Sequence, residues 1–154
     1  MNLLRSLKKL TIFLITKNIK MSKVKIIKLK YFTKKSGTLV PINFNSKFPI
    51  KVKRIFYIFG KKNKYRGNHA HKKCKQIFIP LSGKISLIIK KNDKEKKLVL
   101  NSKSNRAFLV PNLIWCRLKF LTKNAIVLVV CDRKYEFNDY IENYTNFKKI
   151  EKSK

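Results

Sequence analysis

Arg66-Gly67-Asn68-His69-Ala70-His71 holds both histidines of the chain. Imidazole is the side chain best suited to moving protons near neutral pH. Two of them, one residue apart, read as one site. If the stretch is a β-strand, His69 and His71 point the same way, because strand side chains alternate between faces. They then enter one cavity. The alternative is a solvated loop on which two histidines fell together, and the neighbouring residues have to decide.

Four residues separate His71 from Gln76, and six more separate Gln76 from Gly83. This frame resembles the first signature of the cupin barrels. The histidines project from one strand, Gln76 starts the next strand beside them, and Gly83 makes a hairpin turn. Metal-binding cupins usually carry Glu where this chain has Gln76, and add a third His from a motif built around a proline. Here the proline is Pro111 and the later His position falls on Cys116. The chain has no third histidine, and two imidazoles with a neutral amide make a poor transition-metal set. The expectation is a site with no metal and no cofactor, its histidines free for acid–base work.

Composition sets bounds. A chain of 154 residues, 44% apolar and 12% aromatic, suits one folded domain with a real core. The net charge of +32 is extreme. It reflects either A/T-rich codon usage, which also favours Ile, Asn and Phe, or selection for a polyanionic partner. Lysines are spread along the chain and far outnumber arginines, which argues against a nucleic-acid reader with a defined Arg and aromatic surface. Cys74, Cys116 and Cys131 form no CxxC pair, which fits a reducing cytoplasm.

Residues 1–20 are basic and leucine-rich, interrupted by Lys8, Lys9 and Lys17, and read as neither a membrane span nor a signal peptide. Met21 looks like a natural start, leaving 1–20 as an extension and 21–154 as the domain. Short strands are expected at Val24–Leu29, Gly37–Ile42, Arg54–Phe59, Gln76–Leu81, Lys84–Ile89, Lys97–Leu100, Ala107–Val110, Trp115–Phe120 and Ala125–Cys131. Helical spacing is confined to Asp139–Phe147. Strands this short and regularly spaced indicate a β-sandwich or barrel, and the resemblance to the cupin signature makes the expected fold class all-β: a cupin, or double-stranded β-helix (jelly-roll) barrel, with a short C-terminal helix.

The resemblance then becomes specific. Arg54–Phe59, the run Arg66–Lys73, Gln76, Gly83, Leu109-Val110-Pro111, Trp115 and the tail Tyr135–Ile141 with Tyr144 and Phe147 are together similar to the sugar 3,4-ketoisomerases. The match spans nearly everything after Met21. It implies a dimeric enzyme without a catalytic metal, moving the keto group of a dTDP-linked 4-keto-6-deoxy sugar from C4 to C3 for surface polysaccharides. By this resemblance His69 is the base and His71 its partner, relaying a proton or holding a sugar oxygen. Tyr57 and Arg66 would stabilise an enolate or contact the diphosphate, Gln76 would orient a histidine or hydroxyl, and Trp115 would wall the site. Asp139 and Tyr140 read as structural, tying the helix to the barrel.

Two departures from the family pattern bear on specificity. Ser36 stands where a large polar residue precedes the glycine matched to Gly37, and Cys116 stands where His or Arg follows the tryptophan. They keep open a barrel that binds a nucleotide sugar without isomerising it. A basic nucleic-acid-binding barrel is the remaining alternative.

Overall fold

The computed structural model describes residues 24–153. The segment 1–20 and the proposed start at Met21 lie outside them. In chain order the strands are β1 (Lys25–Lys28), β2 (Phe32–Lys34), β3 (Gly37–Leu39), β4 (Arg54–Gly60), β5 (Tyr65–His71) and β6 (Gln76–Ser82). They continue as β7 (Lys84–Lys91), β8 (Lys94–Asn101), β9 (Arg106–Val110), β10 (Trp115–Phe120), β11 (Ala125–Cys131) and β12 (Tyr140–Ile141), and the chain closes with helix α1 (Tyr144–Lys152). All pairings are antiparallel, giving two five-stranded sheets, β1-β9-β6-β11-β4 and β12-β5-β10-β7-β8. This is the jelly-roll barrel the sequence implies, with β2 and β3 paired as a separate exposed ribbon.

The core lies between the sheets. Phe78, Phe108, Val127 and Val129 from the first sheet meet Ile85, Leu87, Leu100, Leu118 and Phe120 from the second. Each such side chain, fully buried, contributes about 1.5–3 kcal/mol relative to exposure. Alternation decides which residues take part. On β4, Phe56 and Ile58 are half-buried against this core while Ile55, Tyr57 and Phe59 are exposed.

The turns explain the connections. Asn92 and Asp93 both have positive φ, 49° and 58°, and join β7 to β8 as a two-residue hairpin. Gly83 does something different from the hairpin expected of it. Strands β6 and β7 belong to opposite sheets, so Gly83 (φ +69°) is a corner where the chain changes sheet. A Cβ there would overlap the Thr122 hydroxyl, which accepts from Lys84 N at 2.9 Å. The strand expected over Gly37–Ile42 stops at Leu39, just before the Val40-Pro41 step, where proline has no N–H to continue a ladder.

The C-terminal helix is also displaced. The spacing suggests Asp139–Phe147, whereas Phe137–Asp139 forms a single 3₁₀ turn, Tyr140–Ile141 is strand, and α1 runs from Tyr144 to Lys152. Asp139 and Tyr140 are held by β5, so the helix starts only at Asn143, whose Oδ1 accepts from Asn146 N at 2.9 Å. Among the described residues no helix is long and apolar enough to cross a membrane.

Gly60 ends β4 directly beneath the ring of Phe120, and a Cβ at that point would overlap the ring. Phe120 is fully buried in the core. Gly60→Ala is therefore expected to cost about 1–3 kcal/mol as an overpacked core. Thermal denaturation should fall by about 2–4 °C for each of those kcal/mol. An unchanged midpoint would mean that the ring yields freely.

Candidate active site

A cavity of about 670 Å³ opens between the edge of β4 and the strands β5 and β10. That size suits a small organic ligand. His69, Gln76, Cys116, Tyr140, Phe56 and Phe78 line its interior, and Lys61, Lys64, Arg66 and Arg117 contribute from the same lining.

The conformation of β5 explains how these residues converge. Arg66 and His69 are three apart, so an unbroken strand would send them to opposite faces. In the pairing with β10, Leu118 stands opposite Arg66, Arg117 opposite Gly67, and Cys116 opposite His69. Asn68 has no counterpart and forms a bulge. Gly67 and Asn68 carry positive φ values of 83° and 75°, a pair of left-handed residues that glycine and asparagine tolerate best. The bulge restores Arg66 and His69 to one lining. It is clamped from outside by Trp115, whose Nε1 donates to Asn68 Oδ1 at 3.2 Å.

That contact corrects the role expected of Trp115. Cys116 lines the cavity, so its neighbour Trp115 faces the other side of the sheet. There it packs with Ala70, Ile141 and Phe147, beneath α1. Gln76 is likewise not on a strand beside the histidines. It begins β6 in the opposite sheet and reaches the cavity from across the barrel. Tyr57 stands on the outward face of the edge strand β4, well exposed, at the cavity lip. Cys116 sits opposite His69 and lines the cavity, whereas the guanidinium of its neighbour Arg117 lies 3.9 Å from the Glu95 carboxylate and over the Tyr65 ring. Ser36 lies in the turn of the β2–β3 ribbon, outside the lining.

The two imidazole rings are 5.0 Å apart and perpendicular. His69 meets the cavity, while His71 is buried behind it. His71 Nδ1 lies 2.9 Å from Asp139 Oδ2. The carboxylate is an acceptor, so Nδ1 carries the proton and Nε2 keeps its lone pair. Nε2 is buried without a partner. Asp139 also accepts from the backbone amides of Lys73 (2.7 Å) and Cys74 (3.2 Å). Burial lowers the His71 pKa, opposed by its hydrogen bond to Asp139. Burial and the neighbouring His71 push His69 down to about 4. Both rings are therefore neutral at neutral pH, able to accept a proton.

Sequence reading assigned Asp139 and Tyr140 to structure and so missed them as members of this site. Tyr140 pairs with His71 across β12 and β5, which puts their side chains on the same face. Its ring lies 4.4 Å from His71 and 5.0 Å from His69. No local motif announces this, because the two segments are joined only by tertiary pairing.

The donors at the cupin metal position do not fit a metal. Gln76 is neutral and turns its Nε2 toward Cys131 Sγ at 3.6 Å. Burial pushes the Cys116 thiol up to about 12, far from the thiolate a metal would need. His71, Cys74 and Asp139 converge within 4.8 Å, but three hydrogen bonds already occupy that carboxylate.

Fold and lining together define a cupin barrel with a polar, cation-bearing cavity of small-molecule size. Residues 22–152 match the family described as FdtA: WxcM-like, C-terminal, and the chain belongs to that family. Among curated proteins it is 32% identical over 126 residues to the TDP-4-oxo-6-deoxy-alpha-D-glucose-3,4-oxoisomerase of Aneurinibacillus thermoaerophilus, covering 81% of this chain and 90% of that one. Among solved structures it resembles a mutant of the 3,4-ketoisomerase QdtA from Thermoanaerobacterium thermosaccharolyticum in complex with TDP-4-keto-6-deoxyglucose, with a TM-score of 0.80 and 32% identity over 85% of this chain and 95% of that one. The TDP-quinovose 3,4-ketoisomerase WlaRB of Campylobacter jejuni follows at a TM-score of 0.75 and 30% identity, over 82% and 98% of the two chains.

The His69 shift has a measurable consequence. The folded protein binds this proton only near pH 4, whereas an unperturbed imidazole binds it near 6.5. Between those values the unfolded chain holds more protons, so stability falls as pH drops through the window. An NMR titration of the ring resonances should place His69 near 4. A value at or above 6.5 would show a ring open to water.

Proposed function

We propose that this protein is a sugar-nucleotide 3,4-ketoisomerase acting on a TDP-linked 4-keto-6-deoxyhexose, in the biosynthesis of deoxyamino sugars for surface polysaccharide. The observation that carries this reading is a neutral imidazole on a cation-rimmed cavity, backed by a second imidazole and the carboxylate that orients it, in a chain of the FdtA, WxcM-like family.

The chemistry follows from the substrate. A hydrogen on C3 beside a C4 ketone is acidified because its carbanion delocalises into an enolate. His69 is neutral and faces the cavity, so it takes that proton. His71, its Nδ1 proton fixed by Asp139 and its Nε2 lone pair free, supports the transfer by relaying a proton or holding a sugar oxygen. General acid–base catalysis of this kind contributes about 10²–10⁴-fold. Gln76 gives one amide N–H to Cys131 and lines the cavity, where its remaining polar groups serve a sugar hydroxyl. Arg66, with Lys61 and Lys64, supplies the positive field a diphosphate needs, and Arg adds paired parallel donors. Tyr57 at the lip is placed to meet the nucleotide.

We also infer that the protein works as a homodimer in the cytoplasm. The edge strand β4 exposes Ile55, Tyr57 and Phe59 in a row, and the ribbon exposes Phe32 and Leu39. An uncovered apolar edge strand invites pairing with another chain. The free thiols of Cys74, Cys116 and Cys131 suit a reducing compartment.

Incubation with TDP-4-keto-6-deoxyglucose in deuterated water is expected to form the 3-keto isomer and to wash deuterium into the sugar ring. His69→Ala should lose about two to four orders of magnitude in rate. Nucleotide binding by calorimetry without any exchange would select the non-catalytic reading instead. Light scattering should report twice the chain mass for the wild type, and Phe59→Lys should shift it toward the monomer. A wild type that stays monomeric at micromolar concentration would rule out the dimer.

A further inference from the structure

The histidine pair accounts for the carbon side of the reaction: a proton leaves C3 and another arrives at C4. The oxygen side has as much to do. Charge builds on the C4 oxygen, and the hydroxyl proton on O3 must leave for that carbon to become the ketone. Neither imidazole can serve both ends at once.

Tyr140 is placed for the second task. It stands opposite His71 in the β12–β5 pairing, packs against both imidazoles and lines the cavity with His69. The Arg54 guanidinium lies close by, 5.5 Å from the Tyr135 ring, which itself packs 5.6 Å from the Tyr140 ring. A guanidinium only donates, so at the phenol oxygen it leaves the phenol's own proton to give. Among the described residues no hydrogen bond takes up that proton, and the cavity is where it can go. Arg54 is itself fixed from three sides: its Nη2 meets Cys131 Sγ at 3.7 Å, and it stacks 5.2 Å from the Phe56 ring and 5.5 Å from the Tyr135 ring.

We propose that Tyr140 is the oxygen-side acid and base of the isomerisation, with Arg54 as its positioning residue, an inference that rests on the ketoisomerase reading above. As His69 removes the C3 proton, the C3–H electron pair becomes the C3–C4 double bond. The C4–O π pair moves onto oxygen, which takes the Tyr140 proton. The result is an enediol with a phenolate beside Arg54, whose charge offsets it. In the second half the phenolate removes the O3 proton, and the oxygen pair forms the C3 ketone. The double-bond pair then takes a proton at C4 from the imidazolium. One hydrogen has moved from C3 to C4 and one from O3 to O4, and no oxidant or co-reactant is consumed.

Tyr140→Phe keeps the ring that packs on both histidines and removes only the hydroxyl. With TDP-4-keto-6-deoxyglucose as substrate, kcat should fall about 10²–10⁴-fold, with KM within a few-fold and the thermal midpoint within a few degrees of wild type. Arg54→Lys keeps the cation but lacks the paired donors, and should lower kcat about tenfold, again with little change in KM. It serves as a second arm should Tyr140→Phe fold poorly. A Tyr140→Phe enzyme that turns over at the wild-type rate overturns the proposal while leaving the ketoisomerase reading intact. Wild-type protein that neither isomerises nor exchanges its substrate overturns both.

Discussion

One buried carboxylate holds this site together. Asp139 lies far along the chain from β5, yet it accepts from the His71 ring and from the amides of Lys73 and Cys74. A buried carboxylate without such donors would be strongly destabilising, whereas three donors make it a fixed point. From that point the rest follows. The β12 strand is set against β5, Tyr140 is turned toward the imidazoles, and α1 is forced to begin at Tyr144. The same bond assigns the His71 proton to Nδ1 and leaves Nε2 with a lone pair.

Around this point the barrel sorts its residues by face. His69, His71, Cys116 and Tyr140 turn inward, and Ala70, Trp115, Ile141 and Phe147 turn outward to receive the helix. Each strand at the site therefore has two duties, one toward the cavity and one toward the helix, set by alternate residues. The bulge at Gly67-Asn68 is where that alternation is broken to a purpose. It places a guanidinium and an imidazole on one lining although they stand an odd number of positions apart. Trp115 belongs to the support of this bulge, which explains why a large aromatic next to the cavity need not touch a ligand.

Electrostatics complete the design. Burial depresses both histidines, so they are bases rather than cations at neutral pH. The fixed positive charge is carried instead by Arg66 and lysines at the cavity and by Arg54 beneath it. That division keeps both imidazoles uncharged within a positive field. Beneath them, Cys131 accepts from both Arg54 and Gln76, and its hydrogen bond with Cys74 followed by these two contacts lowers its pKa against the opposing effect of burial.

The sequence by itself determined the barrel, the strand pattern and the two histidines, because each of these is encoded locally. Period-two alternation marks the strands, and glycine or asparagine marks the points of positive φ. His-x-His on a strand puts two rings on one side whatever the surroundings. The tertiary structure alone decided what those rings face. It turned Gly83 from a hairpin into a corner between sheets, sent Gln76 across the barrel and turned Trp115 away from the cavity. It also brought Asp139 and Tyr140 to the histidines from 68 and 69 residues away (139 less 71, and 140 less 71). Pairing partners between distant strands are chosen by burial and hydrogen bonding of the whole sheet. No local spacing carries that information.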